Sequence, residues 1–572
     1  MANTASTKSS ASKKAQARQT AAVESKKSNR AVEAPLPTDE IPERVWQLGM
    51  IVIFVIAIVL RVYDLNLVPL HHDEGVNGNF LVRLVREGAY QYDPENYHGP
   101  TLYYFAAFFP WVMRVLFGKA AQENYGLTTV SIRMVPALFG LATIVLILLL
   151  RRHLGTIATL TAALLVALSP GAVYLSRYFI HETQFVFFTL GIVVASLYYY
   201  EQRNGFYLIL ASASAALLFA TKETAMISVG VLIIALVVTL VYLRLRRGKP
   251  RATKGRGRIQ PEPGVFNQLV ADTGGPAVFW VYVAVAVLVF AALWVLFYTS
   301  FFTNSKGLAD SFKTFEVWTR TGTVAHVHPF FTYAYWLTAR EAPLLALGAG
   351  GAFLVVLKPK NAFALFSALW AFGMIAAYSL IPYKTPWLML SFLVPLALIS
   401  GYLIQVLYEF DKRFTGVVLF VALLIAVYQT IDLNFFNYDN DDSRYVYVYA
   451  HTTRGMLELV KKIDEVARQE QGYETGITIV SPDYWPLPWY LRNYTRVGYF
   501  GRLAASTEPL IIANENQKPD IDANFGELYE EVPSSQNGGA YELRPGVKLL
   551  LYRRRKGFTP TEPPSIRQPE GS

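Results

Sequence analysis

Thr101-Leu-Tyr-Tyr-Phe-Ala-Ala-Phe-Phe-Pro-Trp-Val-Met-Arg-Val-Leu-Phe-Gly118 is the stretch whose reading sets the fold of this chain. It is apolar for about the ~17 residues that cross a bilayer, yet Pro110 interrupts it and Arg114 follows. If it spans, four basic loops fall outside: Arg151-Arg152, 244–251, Lys358-Pro-Lys360 and Asp411-Lys-Arg413. If it lies in the interface or re-enters, all four fall inside. Basic loops stay cytoplasmic, so the interfacial reading is the expectation. Residues 64–128 then form one long external loop.

The totals agree with a membrane setting. Of 572 residues, 53% are hydrophobic and 16% charged, against roughly 25% charged in soluble domains. Apolar runs at about 45–62, 129–150, 156–175, 184–200, 206–221, 225–243, 277–299, 341–357, 361–381, 387–407 and 415–432 make about eleven spans on a hydropathy reading. The expected protein is a polytopic α-helical one in the cell membrane, with its N-terminus cytoplasmic. Residues 1–42 are a basic, disordered tail without the apolar core of a signal peptide. Residues 43–432 are the membrane domain, 433–556 a small extracytoplasmic α/β domain, and 557–572 a disordered tail. In the α/β domain, 453–471 reads as an amphipathic helix and 477–480, 510–512 and 547–552 as strands. No internal repeat is evident. Cysteine is absent, which excludes disulfides and thiolate metal sites. The net charge of +10 is concentrated in the tail and in 244–258, so membrane flanks account for it and no nucleic-acid partner is expected.

This topology gathers the chemistry on one face. Of the eight histidines, only His153 falls inside; His71, His72, His98, His181, His326, His328 and His451 fall outside. Arg133, Arg177, Lys222 and Lys384 lie at helix ends on that same face. Singly, such groups snorkel or pair; together they point to an anion-binding cavity. His71-His-Asp-Glu74 precedes a helical stripe closed by Gly88. Asp73 reads either as an N-cap or as a general base taking the proton of an attacking hydroxyl. Glu74, His71 and His72 would orient an acceptor, hold a donor or bind a cation. In Ser176-Arg-Tyr-Phe-Ile-His-Glu182, Arg177 suits a phosphate, and Glu182 is either a second active carboxylate, beside His181, or an acid favoured by a helix dipole. Lys222 pairs with Glu223 or meets an anion; Lys384, between prolines and aromatics, reads as an anion contact. His326-Val-His328 has the look of a metal pair lacking further ligands. The aromatic run Asp483-Tyr-Trp-Pro-Leu-Pro-Trp-Tyr490 either packs on the membrane domain or stacks on sugar.

These residues, taken in order, resemble a known family. His71-His-Asp-Glu74, Tyr97-His-Gly-Pro100, Arg133-Met-Val-Pro-Ala-Leu-Phe-Gly140, Leu168-Ser-Pro170 and Ser176-Arg177 are similar to the GT-C glycosyltransferases related to protein O-mannosyltransferases and lipid A aminoarabinose transferases. The nearest likeness is to a prokaryotic flippase-associated subgroup connected with archaeal N-glycosylation. The resemblance spans about residues 45–430. It implies a GT-C fold and an inverting transfer from a polyprenyl-phosphate sugar to an extracytoplasmic acceptor hydroxyl on protein, lipid or glycan. It carries the catalytic carboxylates onto Asp73, Glu74 and Glu182. Substrate contacts are expected from His71, His72, His98, Arg177, His181, Lys222 and Lys384. No cofactor is certain, and a divalent cation is left open. Relatives commonly show a Lys-Pro-Pro-like entry where this chain has His98-Gly-Pro100, so Arg177, Lys222 or Lys384 must meet the phosphate. Glu182 stands where Asp is more usual. The competing class is a non-catalytic binder or flippase partner, which would put ionisable residues near the bilayer midplane and break its helices there.

Overall fold

The computed structural model describes residues 41–96, 98–119, 124–246, 265–324, 326–440, 443–535 and 537–557; nearly all of both tails lies outside them. In lipid a backbone must satisfy its own polar groups, so apolar runs become helices. Those that build the membrane domain are α1 (Glu43–Val62), α2 (His72–Glu87), α3 (Thr101–Phe117), α4 (Thr129–Leu148), α5 (Thr156–Leu168), α6 (Pro170–Ser176), α7 (Glu182–Gln202), α8 (Phe206–Phe219), α9 (Ala225–Arg246), α10 (Pro276–Tyr298), α11 (Thr332–Arg340), α12 (Ala342–Leu357), α13 (Ala362–Leu380), α14 (Leu390–Phe410) and α15 (Lys412–Ile431). The protein is a multi-pass membrane protein.

The hydropathy reading of about eleven spans meets eight to ten in the structure. Among the described residues eight helices are long and apolar enough to cross, or ten if each of two bent pairs is one span. α8 has 14 residues, about 21 Å of helix, too short to cross alone. The pair α5 and α6 bends by 60° and the pair α11 and α12 by 115°. The first break has a local cause: Ser169 caps α6, whose first residue is Pro170, and proline cannot continue the hydrogen-bond ladder of α5.

The helix ends sort into two layers. At one, Arg151 meets Glu43 at 2.8 Å, Asn361 donates to His153 O at 2.8 Å, and Gln405 accepts from Ala158 N–H at 3.2 Å. At the other, Arg177 reaches the carbonyls that follow α1, His98 meets Glu223, and Val327 pairs with Tyr383. α3 begins in this second layer, where Thr101 bonds to Thr221 at 2.8 Å. Midway along α3, Pro110 touches Gly126, whose positive φ of 72° leaves no room for a side chain there. The next residue, Leu127, is held by Arg492 of the C-terminal domain at 2.8 Å. α3 therefore runs along the layer that carries this domain.

The C-terminal domain packs α16 (Arg454–Ala467) on a mixed sheet of β1 (Ile477–Ile479), β2 (Val497–Tyr499), β3 (Leu510–Asn514), β4 (Tyr529–Glu531), β5 (Tyr541–Arg544) and β6 (Val547–Arg554). The order is β2-β1-β3-β6-β4; β1 is parallel to β2 and β3, and β6 is antiparallel to β3, β4 and β5. The apolar stripe Met456, Leu459, Ile463 and Val466 fills its core.

This domain sits directly on α2. A Cβ at Gly75 would lie 2.5 Å from Pro486 Cβ, and one at Gly78 2.6 Å from the Trp489 ring. Half of the aromatic run is thus packing, with Tyr490 also accepting from Leu70 N–H at 2.9 Å. Gly75→Ala drives a methyl into a rigid proline and is expected to cost about 1–3 kcal/mol. A lowered melting temperature, with faster proteolysis between the domains, checks it.

Candidate active site

The site grows from the first turn of α2. His71 is its N-cap: Nδ1 accepts from Asp73 N–H at 3.1 Å, and Glu74 returns a bond to His71 N–H at 3.1 Å. The cap is therefore His71, not Asp73. The His71 Nε2 faces Tyr449 O at 3.0 Å. An acceptor at Nδ1 and a carbonyl at Nε2 require the neutral ring with its proton on Nε2. Burial pushes the His71 pKa down to about 4. An unfolded histidine titrates near ~6.5, so between there and about 4 the unfolded chain binds a proton that the folded ring refuses. Stability is then lost as pH falls through that window, by about 3 kcal/mol in full. His71→Asn keeps an acceptor at the cap and removes this titration, so its melting temperature should fall less steeply than the native protein's from pH 7 to 4.5.

Glu74 is wholly buried. Arg133 grips it through Nε at 2.8 Å and a terminal nitrogen at 2.5 Å, and Phe179 N–H adds a bond at 2.8 Å. The other Arg133 donors go to Leu65 O at 2.8 Å, Val68 O at 2.9 Å and Pro69 O at 3.3 Å. All five guanidinium N–H groups are spent. Glu74 thus ties α2, α4 and the 177–182 turn together, and no oxygen is left to orient an acceptor. Glu74, expected among the catalytic carboxylates, thus has both oxygens engaged by the protein itself.

Arg177, expected at a phosphate, is engaged in a similar way. It donates to Leu60 O at 3.1 Å, Tyr63 O at 2.6 Å and Asp64 O at 2.9 Å, and lies over the Phe435 ring. It closes the carbonyl end of α1, where a cation is favoured, instead of facing a phosphate. Arg61 does the same for α5 through Ala167 O and Val166 O, at 3.1 and 2.9 Å. Arg61 was missed above, although a lone arginine closing an apolar run was the signal.

A second buried group lies beside the start of α7. Lys222 bonds Glu182 at 2.6 Å, and His98 meets Glu223 at 3.1 Å. The lysine thus pairs across the fold, with Glu182, more closely than with its sequence neighbour. Burial opposes its charge, but Glu182 and Glu223 outweigh that and raise its pKa. His181 Nε2 bonds Gly99 O at 3.0 Å, and burial pushes its pKa well down. Tyr178 lies between the two groups: its ring is 5.2 Å from His71, and the charges of Asp73, Glu74 and Glu182 all act on it.

Two candidates keep open valences. The Asp73 side chain is 39% exposed, and the His71 nitrogen 3.9 Å from it is the unprotonated one, so no ion pair forms there. Lys384 is buried and donates to Ile381 O at 2.6 Å and His328 O at 3.1 Å; burial lowers its pKa. Among the described residues no carboxylate pairs with it, and its third N–H has no partner. Tyr449 joins these two residues. Its carbonyl holds His71, its hydroxyl bonds His326 Nδ1 at 2.9 Å, and His326 O accepts from the Lys384 backbone N–H at 3.0 Å. Sequence reasoning passed over Tyr449, because one tyrosine among Tyr445, Tyr447 and Tyr449 carries no signal. His72 stands over the outer side of this turn, its ring 6.1 Å from that of Trp485. Among the described residues no three His, Asp or Glu side chains gather as a metal would need. The His326 ring serves Tyr449, and that of His328 packs 5.4 Å from Trp336.

Residues 105–252, about a quarter of the chain, match the family model described as dolichyl-phosphate-mannose-protein mannosyltransferase. No curated protein matches the chain significantly by sequence. Among solved structures, ArnT from Cupriavidus metallidurans bound to undecaprenyl phosphate superimposes with a TM-score of 0.55 at 14% identity, over 88% of this chain and 98% of that one. Its apo form gives 0.56 at the same identity and coverage. The Archaeoglobus fulgidus oligosaccharyltransferase tethered to an acceptor peptide gives 0.50 at 13% identity, over 83% and 69%. The chain has the GT-C fold of these membrane proteins, and residues 105–252 are similar to the mannosyltransferase family model.

Proposed function

We propose that this protein transfers a sugar from a polyprenyl-phosphate donor to a hydroxyl at the outer face of the cell membrane, with inversion at the sugar carbon. The observation that carries this is the contrast among the carboxylates. Glu74 and Glu182 are buried in ion pairs, while Asp73 stands open on a rigid helix start. In this reaction the acceptor oxygen forms a bond to C1 as the bond from C1 to the phosphate oxygen breaks. The acceptor proton passes to Asp73, and the lipid phosphate leaves as a monoester. Neutral His71 accepts from the Asp73 backbone N–H, which fixes the helix start and leaves the carboxylate without a counter-charge. Lys384 supplies the cation that stabilises the leaving phosphate; Lys222 and Glu182 act as a buried pair that fixes the floor beneath. The fold likeness to a structure holding undecaprenyl phosphate supports a lipid-phosphate donor. The outer-face orientation rests on the basic loops that lie in the opposite layer.

The non-catalytic reading gains one observation, the two broken helices. Both breaks, however, are closed within the protein. Glu341, at the second, accepts from Ser169 Oγ at 2.8 Å and Gly171 N–H at 2.9 Å at the first.

Membranes carrying the protein should move label from a radiolabelled polyprenyl-phosphate sugar into a lipid-free product; label that stays on the lipid under all acceptor conditions sinks the proposal. Lys384→Met removes a charged donor worth about 1.5–3 kcal/mol. Its affinity for polyprenyl phosphate in nanodiscs should drop roughly tenfold to a hundredfold, and an unchanged affinity would remove Lys384 from the donor site.

A further inference from the structure

The aromatic run of the C-terminal domain divides in two. Pro486, Trp489 and Tyr490 are spent on packing against α2, whereas Tyr484 and Trp485 just before them stay partly exposed, Tyr484 with one side on the core of the sheet domain. From His72 a row of rings leads away over the domain: Trp485 at 6.1 Å, Tyr484 5.7 Å beyond it, and Tyr499 5.2 Å further on. Successive rings are tilted by 55°, 34° and 44°, so none stacks flat on its neighbour. Tyr499 ends β2, the edge strand of the sheet, and is 37% exposed. Asp483 and Arg544 form an ion pair at the foot of the row. Both, like Asp73, are near enough for their charges to act on His72. The row starts against the helix turn that carries Asp73, since a Cβ on Gly75 would lie 3.4 Å from the Trp485 ring.

We infer that this row is a shelf for a neutral pyranose of the acceptor, so that the hydroxyl presented to Asp73 belongs to a glycan. The inference rests on the transfer reading only for the word acceptor; the shelf itself is a matter of geometry. A pyranose has an apolar C–H face and a rim of hydroxyls that both donate and accept. Part-exposed aromatic rings set in a row match the first. A mutually neutralised carboxylate and guanidinium, with an uncharged imidazole beside them, match the second, since together they offer acceptors and donors with no net charge. An alkyl chain would leave that ion pair desolvated without compensation. A peptide would need sockets for separate side chains, whereas the rings form a continuous row.

The test uses the full-length protein in nanodiscs and saturation-transfer NMR with the methyl pyranosides of glucose, galactose and mannose. At least one should show saturation of its ring C–H protons. Trp485→Ala and Tyr499→Ala should each weaken that binding roughly tenfold, while Trp485→Phe retains it. Tyr499 lies away from α2, so its variant keeps the domain docked and the test decisive. The inference is overturned if no pyranoside is saturated, if Tyr499→Ala leaves the signal unchanged, or if a serine- and threonine-containing peptide displaces the glycoside and takes the rings. Asp73→Asn should leave glycoside binding intact. Glycoside binding alongside full transfer by Asp73→Asn would end the catalytic reading and spare the shelf; Asp73-dependent transfer with an empty shelf would do the reverse.

Discussion

Asp73→Asn is expected to lower sugar transfer by roughly 10²–10⁴-fold, the usual worth of a positioned general base, while the lipid donor still binds. Asparagine keeps the size and the helix start, because the cap bond comes from Asp73 N–H to His71 and not from the carboxylate. It cannot take the acceptor proton. The loss should therefore appear in kcat with KM for the donor nearly unchanged, as for an interaction made only in the transition state. A variant that folds, binds polyprenyl phosphate and transfers at the native rate would remove Asp73 from the chemistry. Glu182→Gln should behave differently. It leaves the Lys222 ammonium buried beside a neutral amide, so its effect should include a lower melting temperature.

The largest stability effect is expected at Glu74 and Arg133. Glu74→Gln or Arg133→Leu strands one buried charge with its partner removed, at a cost of about 3–5 kcal/mol. Because Arg133 also holds Leu65, Val68 and Pro69 by their carbonyls, its loss frees the segment that leads into His71. Activity should fall with stability and for that reason. The pair Glu74→Gln with Arg133→Leu should cost less than the two single changes summed, since neither charge is left alone. Thermal melts of the three variants in one detergent read this directly. Additive costs would show that the pair is not the tie described above.

The sequence made some of this legible and hid the rest for physical reasons. Apolar runs and basic loops exposed the membrane domain, and the amphipathic 453–471 segment together with the three strongest apolar runs after it located the sheet domain. The strands Val497–Tyr499, Tyr529–Glu531 and Tyr541–Arg544 went unseen. They are three or four residues long and mostly polar on one face, so they carry too little alternation to register. Breaks in α5–α6 and α11–α12 also escaped, because hydropathy averages over a bend. At the site, residue type picked out the right neighbourhood but not the right roles. Glu74 and Asp73 are adjacent in sequence, and one helix turn sends the first inward to Arg133 and leaves the second open. Arg177 and Lys384 look alike as cations at helix ends; only the carbonyls around each show which has spent its donors. Long-range partners such as Tyr449, which joins residues of three separate segments, have no local signature at all.

The most direct measurement of the central claim is the phosphorus chemistry of the donor. Purified protein in proteoliposomes would be loaded with polyprenyl-phosphate sugars extracted from the host's own membranes, given a membrane glycan extract, and followed by ³¹P NMR. The native protein should convert the phosphodiester signal into the phosphomonoester of free polyprenyl phosphate, and Asp73→Asn should leave the diester standing. A diester that persists with both proteins, or a monoester that forms equally with both, would contradict the account.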